Sequence, residues 1–161
     1  TGNIKKPMRA YLTRDIRYEL CDIKTLNLLP SVLSAQASKN QGCDEAIMYR
    51  NELFVTEGSH SNVSILKNGT LITAPRSKYI LPGVTRAHLI EIASKASIPV
   101  EERQYSINEL INADEVIITS SSKLARGVGR IDKNNVGGKD RATLDILQNG
   151  IYNSYLEATS K

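Results

Sequence analysis

The chain has 161 residues, 40% of them hydrophobic and 24% charged, one domain's worth and enough to bury roughly 70% of its unfolded surface. No apolar run approaches the ~20 residues that span a bilayer as a helix, and one Phe with no Trp leaves no base-stacking platform for nucleic acid. The net charge of +4 is local, because Lys5, Lys6, Arg9, Arg14 and Arg17 against Asp15 leave the remainder balanced. Residues 1–13 therefore read as a solvated linker, and Thr1, no natural start, suggests a piece of a longer chain. Residues 14–23 read as a strand of mixed polarity. Leu29, Val32, Leu33 and Ala37 recur at helical spacing and predict an amphipathic helix over 29–41, stopped by Gly42. Residues 46–49 and 53–56 read as strands joined by Asn51-Glu52. Residues 63–66 and 71–73 flank Asn68-Gly69, a strong hairpin signal.

Thr85 can cap a second helix with Leu89, Ile92, Ala93 and Ala96 on one face. Ser106 and Glu109 have capping-box spacing, opening a short helix to about Asn112. Residues 116–118 form a brief apolar strand running into the hydroxyl-rich 119–122. Leu144, Leu147, Ile151 and Tyr155 define a closing helix, which Gly150 weakens. Helices are interspersed with strands but hairpins dominate the middle, which favours an α+β domain with a mixed, curved sheet. No phosphate-binding Gly-rich fingerprint is present.

Four segments could carry chemistry, each with an ordinary alternative. Lys24, in D-I-K-T-L-N-L-L at 22–29, is either a solvated charge or an amine that attacks a carbonyl. Its apolar neighbours Ile23, Leu26, Leu28 and Leu29 are compatible with desolvation. Glu57, in V-T-E-G-S-H-S-N at 55–62, is either a turn residue or the partner of a ring nitrogen. In 80–86, I-L-P-G-V-T-R leads into a helix start that could take an anion or simply be capped at Thr85. Hydroxyls at 119–122 make turns more often than they bind phosphate. His60 sits in the Glu57 turn, and His88 reads as structural or solvated. Two histidines without clustered acids offer no metal centre. Cys21 and Cys43 have no metal or redox spacing and read as buried thiols.

Taken together and in order, these segments resemble the class IV aminotransferases, the fold-type IV pyridoxal phosphate enzymes. Within them the wording at Lys24 and Glu57 is most similar to the D-amino-acid aminotransferases. The resemblance runs from about Arg14 to the final helix and matches only the C-terminal part of such enzymes. It implies that 14–161 is the C-terminal cofactor domain, an α+β pseudo-barrel of largely antiparallel strands with flanking helices. It implies pyridoxal 5'-phosphate as cofactor, with the Schiff-base lysine on Lys24 and the ring-nitrogen partner on Glu57. Leu81 would pack on the ring, while Gly83, Val84, Thr85, Ser120 and Ser121 would hold the phosphate. The implied reaction is transamination between an amino acid, a D-amino acid such as D-alanine, and a 2-oxo acid. Branched-chain aminotransferase and aminodeoxychorismate lyase share these residues, and a non-catalytic dimerisation module is the reading from another class. Cytoplasmic location and homodimer assembly follow from the resemblance, with no nucleic-acid or membrane partner. The family's phosphate-binding arginine and several substrate contacts lie in an N-terminal domain with no counterpart in residues 1–161, and His60 stands where close relatives often carry Ser.

Overall fold

The structure is a computed structural model describing residues 3–51 and 54–160. Nine strands form one mixed sheet: β1 (Met8–Arg14), β2 (Glu45–Arg50), β3 (Phe54–Gly58), β4 (Asn62–Lys67), β5 (Thr70–Thr73), β6 (Val100–Glu102), β7 (Glu115–Ser120), β8 (Leu124–Ile131) and β9 (Asn134–Asn135). Their order is β3-β2-β1-β8-β7-β4-β5-β6, with β9 beside β8. Five of the described pairings are antiparallel and three parallel.

The sheet curls until its two ends meet. Val55 N on β3 donates to Tyr105 O, 3.1 Å away just beyond β6, and Phe54 bridges Ser106. This is the curved pseudo-barrel the sequence predicts. Side chains alternate between an inner and an outer core, as a pleated strand requires. Val63, Ile65, Ile72, Val116 and Ile118 point inward. Leu66, Leu71 and Ile117 point outward against α2 (Val84–Lys95) and α4 (Arg141–Thr159), which contribute Leu89, Ala93, Leu144, Leu147 and Ile151. Tyr105 is fully buried in the inner core, and its hydroxyl donates to Val63 O at 3.0 Å.

The strongest local signals form as expected. Asn68 and Gly69 both take positive φ between β4 and β5, as a type I′ turn demands. Ser106 and Glu109 form a reciprocal capping box on α3 (Ile107–Ile111). Gly150 sits where an added Cβ would lie 2.6 Å from Ile92 Cγ2, so its absent side chain lets α4 approach α2. Of the predicted pair 53–56 and its connection, Leu53 and Glu52 lie outside the described residues.

Several expectations are corrected. Residues 8–13, read as linker, form most of β1, which sits between β2 and β8 with Met8 and Ala10 buried. Residues 14–23 are not a strand beyond Arg14. Arg17 N turns back to Asp15 Oδ1 at 3.0 Å, an Asx-type turn, and Leu20 has φ 68°. The helix α1 (Leu29–Asn40) forms, with Gly42 at φ 67° just beyond it. Its facing is inverted: Ser31, Ser34 and Ser38 are buried, while Leu29, Val32 and Leu33 are 68%, 49% and 52% exposed. Cys21 and Cys43 are half-buried free thiols.

Candidate functional site

Glu57 is the next-to-last residue of β3 and is only 4% exposed. Every described polar partner of its carboxylate is a donor. Arg17 Nη1 donates to Oε1 at 2.5 Å, Asn62 Nδ2 to Oε2 at 2.8 Å, and Leu81 N lies 3.2 and 3.1 Å from the two oxygens. Burial raises the pKa of this carboxyl to about 7, against the opposing pull of Arg17 and Leu81 N. Arg17 in turn is shared. Its Nη2 reaches Asp15 Oδ2 at 2.8 Å and Tyr79 O at 3.0 Å, and its Nε reaches Asp15 Oδ1 at 3.0 Å. Asp15 also accepts from Arg50 Nε and Thr56 Oγ1. Burial pushes Asp15 up, but its bonds to Arg17 outweigh that and hold it below the usual carboxylate range. Two guanidinium groups and two carboxylates thus neutralise each other in a buried row, the condition under which such charges are tolerated.

Asn62, first residue of β4, ties the Glu57 turn to the next loop. Its Nδ2 also donates to Leu81 O at 2.9 Å. A Cβ on Gly83 would lie 2.1 Å from Asn62 Oδ1, so glycine is required here for close approach by a side chain. The expected cap at Thr85 is corrected: Gly83 is the N-cap of α2, no side chain caps it, and Thr85 lies inside the first turn. The first-turn N–H groups therefore keep their capacity for an anion, aided by the helix dipole. Val84, at the mouth of this turn, is 69% exposed.

Thr119 on β7 pairs with Asn62, so Ser120 and Ser121 emerge at the same end of the barrel. Ser120 Oγ accepts from Lys123 N at 3.1 Å and lies 3.4 Å from Ser122 Oγ. Ser121 is exposed. The structure thus brings Glu57 and Leu81 into direct contact, with Gly83, Val84 and Thr85 following along the chain, while Ser120 and Ser121 follow the strand residue that pairs with Asn62.

Lys24 is different. It lies in an exposed irregular segment, and its ammonium has no hydrogen bond or ion pair among the described residues. The desolvation expected from its neighbours is corrected: Ile23 is 55% exposed, Leu26 95%, Leu28 49% and Leu29 68%. No layer of the described residues covers them. The segment is anchored just upstream by Arg17 on Glu57 and by Cys21 N, which donates to Lys78 O at 2.8 Å. His60 and His88 are both exposed, and His60 Nδ1 lies 2.9 Å from Ser59 Oγ. No group of metal-ligating side chains occurs among the described residues. One surface concavity lies elsewhere, between Lys6, Arg9 and Arg126, and another borders the Asp15–Arg17 row, between Arg50, Thr56 and Tyr79.

Sequence reasoning missed Arg17, Asp15 and Asn62. Asn62 closes the Glu57 motif and could have been found from it. Arg17 was hidden among the basic residues near the start, 40 positions from its partner.

Residues 5–131 match the family described as amino-transferase class IV, and the chain belongs to that family. Among named relatives, the D-alanine aminotransferase of Staphylococcus haemolyticus is 40% identical over 98% of this chain and 56% of its own length. That of Listeria monocytogenes serotype 1/2a is 42% identical over 76% of this chain and 42% of its own. The chain spans about half the length of these relatives. The branched-chain aminotransferase of Thermoproteus uzoniensis, solved with norvaline, superposes with a TM-score of 0.81 at 28% identity, over 96% of this chain and 55% of that one. A putative 4-amino-4-deoxychorismate lyase from Legionella pneumophila gives 0.79 at 29%, over 90% and 56%. A further branched-chain amino acid aminotransferase, solved with pyridoxamine 5'-phosphate, gives 0.83 at 24% over 92% and 50%, and shares the fold. The fold is that of the fold-type IV aminotransferases.

Proposed function

We propose that this chain is the cofactor-holding domain of an aminotransferase that moves an amino group between an amino acid, D-alanine or a similar D-amino acid, and a 2-oxo acid. The observation that carries the reading is the buried Glu57 carboxylate, surrounded by donors, beside the uncapped start of α2. Pyridoxal 5'-phosphate, when bound, supplies an aldehyde for an amine and a ring that takes up electrons. The residues fit it chemically. Glu57 is an acceptor for a ring N–H, and the negative charge that Arg17 favours stabilises a protonated ring. The N–H groups of Val84 and Thr85, with the hydroxyls of Thr85, Ser120 and Ser121, suit a phosphate. Leu81 lies between the two ends, and Gly83 keeps Asn62 on Glu57. Lys24 would hold the aldehyde end and carry a proton to and from the substrate Cα.

The exposed apolar run through Ile16, Tyr18, Leu20, Ile23, Leu26 and α1 suits burial against a further domain or a second copy of the chain, and a homodimer is part of the proposal. Half-buried free thiols suit a reducing cytoplasm. The preference for a D-amino acid rests on the relatives named D-alanine aminotransferase.

The test is a direct assay of the intact, cofactor-loaded protein. Pyruvate should form from D-alanine beyond one equivalent per site only when a 2-oxo acid acceptor is added. Turnover of L-leucine in place of D-alanine would favour the branched-chain reading, and pyruvate from aminodeoxychorismate without an acceptor would favour the lyase. Full turnover in a Lys24→Ala variant would contradict all three.

A further inference from the structure

The Glu57 turn joins β3 to β4, which do not pair among the described residues, and the Ser120 turn closes the β7–β8 hairpin, yet one buried carboxylate holds both. Glu45, first residue of β2 and 3% exposed, accepts Lys123 Nζ at 2.7 Å from the Ser120–Lys123 turn. It also accepts Ser61 Oγ at 3.0 Å and Ser59 Oγ, both from the turn that follows Glu57. Its fourth partner is Ala46 N at 3.0 Å. The Lys123 side chain is 27% exposed and that of Glu45 2%, so the pair is largely shielded from solvent. Burial pushes the Glu45 carboxyl up, but the bonds from Lys123 and Ser59 outweigh it and keep the group ionised. No strand pairing links β2 to β7 or to the turn after it among the described residues. Within the same set the Lys123 ammonium is the side-chain link between Glu45 and the Ser120 turn.

We infer that Glu45 and Lys123 are a positioning pair, which sets the distance between the turn that meets the cofactor ring and the turn that meets its phosphate. The inference rests on the cofactor reading proposed above. Neither residue need touch the cofactor. Lys123 draws its turn toward Glu45, and Ser59 and Ser61 draw theirs to the same two oxygens. A cofactor that must satisfy both turns at once then meets two sites already at the right spacing. Such preorganisation strengthens binding by lowering the ordering cost.

The test compares pyridoxal 5'-phosphate with pyridoxal, which lacks the phosphate, on the intact protein. Lys123→Met alone leaves a buried charge unpaired and can unfold the site, so the informative variant is Glu45→Gln with Lys123→Met. It is neutral in charge; its Oε1 still accepts from Ser59 and Ala46 N, and its Nε2 can donate to Ser61 Oγ, so the phosphate turn alone is freed. The Kd for pyridoxal 5'-phosphate should rise ~10-fold, the effect of losing roughly one positioned hydrogen bond, while that for pyridoxal changes less than about twofold. Lys123→Arg with Glu45 kept should bind both ligands nearly as the parent does. Equal weakening for both ligands, or none for either, would overturn the pair's role. Ser121→Ala and Glu57→Gln separate the two layers of the argument. If they weaken cofactor binding and the double variant does not, the positioning pair fails alone. If neither does, the cofactor reading fails and takes the pair with it.

Discussion

Glu57 and Lys24 are the two residues on which the reading turns, and the protein treats them oppositely. Glu57 is buried, hydrogen-bonded by three donor groups and locked to Arg17 and Asn62. Lys24 is exposed and free of partners among the described residues, in a segment whose apolar side chains face outward. A carboxylate in a low-dielectric site needs a counter-ion beside it for its charged form. An amine that must reach a carbonyl needs freedom and, before reaction, a surface to cover it. In the proposed reading, this chain alone builds the ring-nitrogen end of the site, while the aldehyde end needs a further covering surface.

The largest expected contrast is in activity. Lys24→Ala should cost roughly 10²–10⁴-fold in transamination by the intact enzyme, the range for removing a group that moves a proton. Its unfolding free energy should stay within about 0.5 kcal/mol of the parent, as for an exposed side chain. Chemical denaturation and a coupled pyruvate assay on the same preparation would read both.

Arg17→Met attacks the other pole. It removes the counter-ion of the buried Glu57 and leaves Asp15 with Arg50 alone, and should destabilise by about 3–5 kcal/mol. Arg17→Lys should recover only part, because one ammonium cannot reproduce the fork that spans Asp15, Glu57 and Tyr79 O. A urea titration would measure the difference.

The pH dependence sharpens the comparison further. Glu57 has a folded pKa near 7 against 4.5 for the free side chain. The folded state therefore binds more protons between those values, and this group's contribution favours folding below pH 4.5 and is lost as pH rises through 7. Asp15 and Glu45, both shifted downward, act in the opposite sense and lose their contribution on acidification. Comparing the parent with Glu57→Gln isolates the first effect. The variant's stability relative to the parent should improve between about pH 5 and 7.5, by on the order of 1–3 kcal/mol. A constant difference across that range would contradict the shift.

The smallest effect lies away from the site. Gly150→Ala gains up to ~1 kcal/mol in helix propensity but drives a methyl against Ile92, whose branched χ1 is stiff in a helix. The clash costs about 1–3 kcal/mol, so thermal unfolding should occur at a lower temperature than in the parent.

The same division explains what was legible in the sequence. The Asn68-Gly69 turn and the Ser106 capping box are local devices whose partners lie within a few residues, and both were read correctly. The class of fold followed from motifs, and the motif residues Glu57 and Leu81 lie in direct contact. β1 was hidden because its basic residues dominate the charge count while Met8 and Ala10 turn inward. β8 has two glycines and two arginines among its eight residues, a poor strand sequence by propensity. It is held as a strand by β1 and β7 on either side. Arg17 and Lys123 could not be read, because the carboxylates that give them meaning lie 40 and 78 residues away. The facing of α1 was misread because periodicity identifies an apolar face without saying what covers it. Here small serines pack on the sheet and the leucines remain outside.

The most direct test is to load the intact protein with pyridoxal 5'-phosphate, fix the bond by borohydride reduction, and map the labelled peptide by mass spectrometry. A single adduct on Lys24 is expected, lost in Lys24→Ala and retained in Glu57→Gln. A stable adduct on another lysine, with Lys24 unmodified, would contradict the account at its centre.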